Sequence, residues 1–263
     1  YVDTDNNEER DFYGLFLQRK EILGGGLSLY ALGDNMVRAR EDGDVERVTL
    51  GSRWAGKQGP LDWRLEFYWQ GGDWGNRDGD RVDIGANMLG ARVGYVFPWK
   101  TKPKVTLWYD YLSGDDDPFD GKHRVFDTLY ATNHKFYGYM DQFLNVPAHT
   151  DPQGRSEGLG LQDFALKFSL QPTQKLKIAV DLHHFRTAKD DPKTETGSRL
   201  AVDGHIGEEL DITLKYLLAP KVVFQVGYAH FWPGRMVDDV KKLGRTGDDS
   251  DEDWFYSLVN LGF

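Results

Sequence analysis

The chain has 263 residues, a net charge of -10, 14% aromatic residues, no cysteine and a mean hydropathy of -0.58. Without cysteine there are no disulfides, no thiol catalysis and no Cys-ligated zinc. No basic cluster offers a footprint for nucleic acid, and no apolar run approaches the ~20 residues of a membrane-spanning helix. A β-barrel stays open, since each of its strands needs only ~9–11 residues and turns alternate ones to lipid.

Period-2 alternation predicts strands over 11–20, 26–33 and 45–54, joined by a tight turn at 23–26 and a longer connector at 34–44. The clearest strand is 61–70, with Leu61, Trp63, Leu65, Phe67 and Trp69 on one face and Asp62, Arg64, Glu66, Tyr68 and Gln70 on the other. A connector over 71–81, carrying part of an acidic cluster, leads to a strand over 83–97. In 104–111 the apolar face is Val105, Leu107, Tyr109 and Tyr111, opposite Lys104 and Asp110.

The longest connector, 113–158, contains Phe126, Leu129, Tyr130, Phe136, Tyr137, Tyr139 and Phe143. That is too aromatic for a solvated loop, and a folded extracellular cap or a loop tucked into a lumen would account for it. Its Asp115, Asp116, Asp117 and Asp120 offer hard oxygen ligands for Ca²⁺, but the spacing is not that of a known calcium loop. A solvated acidic turn is the simpler reading, and no cofactor is expected.

Alternation resumes at 163–170, 175–182, 210–217 and 221–231, with Lys167, Lys177 and Lys215 opposite the apolar faces. Long connectors are expected at 188–207 and 233–251. The last strand, 253–263, turns Phe255, Ser257, Val259, Leu261 and Phe263 one way. An apolar terminal strand ending in Phe resembles the signal that the barrel-assembly machinery reads in bacterial outer-membrane proteins.

This predicts about eleven antiparallel strands with short and long connectors alternating, as in an outer-membrane barrel with tight periplasmic turns and long outer loops. A soluble β-sandwich has no reason to sort its loops this way. Counting back from a downward last strand makes the strand over 11–20 also run downward, so the expectation is one domain over 1–263 that is the C-terminal part of a larger barrel. The lumen face would carry Arg47, Arg53, Arg64, Arg92, Lys104, Lys167, Lys177 and Lys215, with Asp62, Glu66 and Asp110 among its acids. Such a wall either neutralises itself across the ladder or forms a basic constriction that selects anions. Catalysis has little support: His183 and His184 point to opposite faces and cannot share a ligand, and His134, Ser156 and Asp163 are scattered.

Residues 113–118, Ser-Gly-Asp-Asp-Asp-Pro, followed by Phe126-Asp127-Thr128-Leu129-Tyr130 and by His134-Lys135-Phe136-Tyr137-Gly138-Tyr139-Met140-Asp141, resemble the alginate-export family of outer-membrane proteins. The resemblance implies a monomeric barrel of about eighteen strands, in contact with outer-membrane lipid and lipopolysaccharide. It also implies passive export of an anionic polysaccharide through an Arg-rich constriction. A porin importing small carboxylates, and a non-transport barrel acting as hydrolase or adhesin, are the competing expectations.

Overall fold

The computed structural model describes residues 10–36, 45–76, 81–129, 136–142, 158–194, 196–242 and 250–262. Eleven strands follow one another in a single antiparallel meander: β1 (Arg10–Ile22), β2 (Gly25–Met36), β3 (Val45–Gln58), β4 (Leu61–Asn76), β5 (Arg81–Val96), β6 (Lys104–Leu112), β8 (Leu161–Leu170), β9 (Leu176–Arg186), β10 (His205–Ala219), β11 (Val222–Pro233) and β12 (Glu252–Leu261). A two-residue β7 (Lys122–His123) runs parallel to β5, and one helix, α1 (Arg235–Lys242), precedes β12. No helix among the described residues is long and apolar enough to cross a membrane. Among those residues β1 and β12 each pair on one side only, so the sheet is open.

Register carries the alternation across the whole sheet. Trp63, Leu65 and Phe67 sit beside Val93, Ala91 and Leu89, and Leu107 and Tyr109 sit beside Leu166 and Phe164. This face stays exposed along its length, with Leu65, Phe67, Leu107, Leu166 and Leu182 all open. A contiguous exposed apolar face of this size is not tolerated in water and matches a lipid-facing surface. Aromatic rings cluster at two levels on it: Trp54 with Trp63 at 5.4 Å near the short turns, and Tyr109 with Phe164 at 4.5 Å nearer the long connectors.

The other face is polar and partly buried, which identifies what covers it. Its apolar core joins Ala86, Met88, Leu112, Leu161, Phe185 and Phe231 from the strands to Phe126, Tyr137 and Leu159 from the long connector. Met236 of α1 and Val202 and Ile206 near the start of β10 complete it. The core therefore lies inside the long-connector end of the sheet.

Two expectations need correcting. The connectors expected at 71–81 and 188–207 are partly strand, because β4 continues to Asn76, β5 begins at Arg81, and β10 begins at His205. The residues there read as turn because they are Gly- and Asp-rich. Backbone pairing of Gly72 with Ile84 and of Asp73 with Asp83, and an ion pair between Arg81 and Asp73, carry the ladder through them. The terminal Phe263 lies outside the described residues.

Candidate functional site: the polar face and the segment that crosses it

Side chains of alternate residues converge on the polar face because strand parity is kept from β2 to β12. Arg53 pairs with Glu66 at 3.2 Å, and Arg64 lies 3.3 Å from the other oxygen of the same carboxylate. Arg92 meets Asp110 at 3.4 Å and lies over the Trp108 ring, its guanidinium carbon 3.1 Å from the ring centre. Lys104 pairs with Asp62 at 2.7 Å and Lys167 with Asp181 at 2.9 Å. His183 holds Asp163 at 2.9 Å, deeply buried, while His184 points to the other face. Each of these cations has a carboxylate partner, so this part of the wall largely neutralises itself across the ladder.

Lys177 and Lys215 differ. They are direct partners in the β9–β10 register, near the short-turn end. Neither lies in an ion pair among the described residues. They line a small site of about 120 Å³ with Asp181, Asp211, Thr213 and Tyr139. Like charges opposite each other destabilise a ladder unless an anion or water lies between them.

The long connector crosses this face. At its β3 side, Arg47 is buried and bonds Asp34 at 2.7 Å and Asp127 of the connector at 2.8 Å. Gln70 of β4 is fully buried; it donates to the Asp127 carbonyl at 2.8 Å and accepts from the Asp127 N–H at 2.9 Å. Farther along, the Met140 N–H donates to Glu209 of β10 at 3.0 Å, Gln142 donates to Glu252 of β12 at 2.7 Å, and Tyr139 stacks on Tyr256. Gly138 has φ +84°, and a Cβ there would lie 2.4 Å from both Glu209 oxygens, so only glycine fits this approach. Residues 126–129 and 136–142 thus touch β3, β4, β10 and β12. Beneath them is a cavity of about 300 Å³ lined by Arg64, Glu66, Arg92, Asp110, Phe136 and Tyr137.

The acidic start of the connector is an ionic clasp rather than a free turn. Buried Asp115 accepts from the N–H groups of Asp117 and Arg124 at 3.0 Å each and from the Arg124 guanidinium at 3.2 Å. Asp116 pairs with Lys189 and Arg199, both at 3.2 Å, and Asp117 with Lys193, so residues 187–204 are tied to it. The Asp120 carboxylate is gripped by Arg124 at 2.5 Å. These carboxylates accept from basic side chains and from backbone N–H groups.

Charge linkage makes the clasp acid-sensitive. Burial raises the Asp115 carboxyl above the usual range. Burial pushes Asp116 the same way, but Lys189 and Arg199 outweigh it and hold it below that range, and Arg124 holds Asp120 down as well. A depressed carboxylate stabilises the fold above its unfolded pKa and loses that contribution as pH falls through the folded one; the raised Asp115 has the opposite sign. As Asp116 and Asp120 take up protons below about pH 4, their ties to Lys189, Arg199 and Arg124 are lost and the clasp loosens. Hydrogen exchange should show the Lys193 amide, bonded to the Asp116 carbonyl at 2.8 Å, losing protection before the strands do. Unchanged protection on acidification would mean that packing, not charge, holds it.

Of the residues singled out in the sequence, all eight cations and Asp62, Glu66 and Asp110 share the polar face. Phe126 and Tyr137 are buried core, and Asp127, Tyr139 and Asp141 belong to the crossing segment. Tyr130 and His134 lie outside the described residues. Asp34, Gln70, Trp108, His183 and Glu209 were missed as site residues. Gln70 and Trp108 share strand parity with residues already assigned to the polar face, and that signal could have found them. Glu209 shares parity with Lys215 as well, but its contact with Met140, some seventy residues earlier in the chain, could not be found this way.

Among solved structures the chain is similar to the NanC porin, with 10% identity, a TM-score of 0.42 and 97% of each chain covered. It is also similar to Pseudomonas aeruginosa OccK10 (OpdN), with 14% identity, a TM-score of 0.45, and coverage of 94% of this chain and 60% of that one. A third is OmpT, an outer membrane protein of Vibrio cholerae, with 10% identity, a TM-score of 0.34, and coverage of 86% and 66%. No curated protein matches the sequence. The family model described as alginate export matches residues 2–246, nearly the whole chain. With an exposed apolar face, a polar inner face and that match, the chain belongs to the alginate export family and is a bacterial outer-membrane β-barrel pore protein.

Proposed function

We propose that this protein conducts an anionic hydrophilic solute, an acidic polysaccharide or a smaller carboxylate, passively across the outer membrane. The observation that carries the reading is the Lys177–Lys215 pair. It is the place on the polar face where two cations oppose each other in register without a carboxylate bonded to either among the described residues. Asp181 and Asp211 line the same site without bonding either lysine, and a passing carboxylate supplies a counter-charge that does. The arginines act differently: bonded to Glu66 and Asp110, they and Trp108 form a polar, aromatic-backed wall along which a sugar ring can slide. Backbone groups on a sheet edge have no partners in hydrocarbon, so the open edges of β1 and β12 must be paired when the pore is in the membrane.

Planar-bilayer recordings test this. The pore should prefer anions at low salt, and K177E/K215E should shift the reversal potential toward cations, the shift fading as salt screens the charges. Oligouronates should block current and neutral oligosaccharides of equal length should not; block by monomeric carboxylates alone would favour the small-solute version. Selectivity untouched by the double charge reversal would end the anion reading.

A further inference from the structure

We infer that His184, His205 and Glu208 form a binding site for a zinc-type transition metal on the outer face of the sheet, at its long-connector rim. His184 Nδ1 and His205 Nε2 bond the same Glu208 oxygen, at 2.9 Å and 2.8 Å. The three ligand atoms all lie within 4.8 Å of one another. Ligand atoms on a tetrahedron with ~2.1 Å bonds are about 3.4 Å apart, so small side-chain rotations suffice to close the set on an ion. Two imidazoles and one carboxylate leave positions free for water or an external ligand, as in open zinc sites.

The backbone is built to bring these side chains together. Glu208 and His184 are direct partners in the β9–β10 register. His205 is three residues before Glu208, and regular strand parity would send it to the opposite face. A register shift between His205 and Gly207, with Gly207 at φ +153°, turns it back. β-Bulges commonly re-aim a side chain in this way. The His205 N–H is fixed on Asp203 at 2.7 Å, and a Cβ at Gly234 would lie 2.7 Å from His205 Nδ1, so the ring is closely confined. The two imidazoles lie 5.1 Å apart, nearly parallel. Phe164 and Trp232, the register partners of His184 and Glu208, set the group at the level of the outer aromatic ring, with all three ligands accessible from outside.

Metal-stripped, tag-free protein titrated with Co²⁺ and followed by visible absorption tests the site. One Co²⁺ per chain should bind with ligand-field bands of nitrogen–oxygen coordination, and Zn²⁺ should displace it. H184A and H205A should each weaken binding by more than about tenfold, since even residues that only support ligands cost that much. E208Q should weaken it too, and H230A, at the same rim, should not. Gel mobility with and without heating confirms that each variant is folded. Absence of stoichiometric Co²⁺ binding in the unaltered protein, or binding that survives in folded H184A and H205A, overturns the inference and leaves a hydrogen-bonded His–Glu–His cluster.

Discussion

Arginine in place of Leu65 should destabilise the membrane-inserted protein by ~2–4 kcal/mol, the cost of a charged side chain on the lipid face of a barrel near the bilayer midplane. Leu65 and Phe67 lie on the exposed apolar face of β4 between Trp63 and Trp69. The six-residue step between those indoles spans ~20 Å along an extended strand, close to the ~25 Å apolar band of outer-membrane barrels. Arg64 is adjacent in sequence but turned to the polar face, and Glu66 keeps Arg53 at 3.2 Å when Arg64 is removed. R64L should therefore cost far less. Denaturant unfolding of bilayer-inserted variants reads both. Equal losses for L65R and R64L would mean that the apolar face does not meet lipid.

The strands were legible because each is written in a local two-residue period that a membrane enforces on one face. Leu65, Leu107 and Leu166 could be assigned from neighbours two positions away. Strand ends were less legible, since outside the apolar band the alternation loses its purpose: Gly72, Asp73 and Arg81 read as a connector, yet backbone pairing and an ion pair hold them in the ladder. The polar-face cations were also found by parity, but their partners were not all local. Arg53, Arg64 and Arg92 meet carboxylates on the same or adjacent strands, whereas Arg47 meets Asp127 from a connector eighty residues on. The aromatic content of 113–158 announced a folded segment, but its path across the sheet depends on Gly138 fitting against Glu209, a contact between distant parts of the chain. His205 was given no face, because 188–207 reads as a connector and the bulge that redirects it has no signature beyond Gly207.

The second large effect should separate the structural role of Arg47 from any effect on conduction of the segment it holds. Its guanidinium is buried and shared between Asp34 at 2.7 Å and Asp127 at 2.8 Å. Removing one partner of a buried ion pair costs up to ~3–5 kcal/mol. R47M should show a loss in that direction in unfolding experiments, because it takes one charge-assisted bond from Asp34, which is nearly inaccessible to water, and another from Asp127. D127A leaves the Arg47–Asp34 pair intact and removes only the tie to the connector and the Asp127 bond to the Leu129 N–H at 2.7 Å. Its stability should fall by ~1 kcal/mol or less, the worth of a partly exposed pair, while the crossing segment loses its tie to β3 and keeps the two main-chain bonds of residue 127 to Gln70. The Gln70, Glu209 and Glu252 ties would still hold it, so the segment should loosen rather than leave. Single-channel recordings of D127A should then show a higher mean conductance with frequent partial closures, and G138V, which forces the far end off Glu209, should add to it. If both variants conduct as the parent does, residues 126–129 and 136–142 pack against the wall without narrowing the path, and the constriction lies among the strand side chains alone.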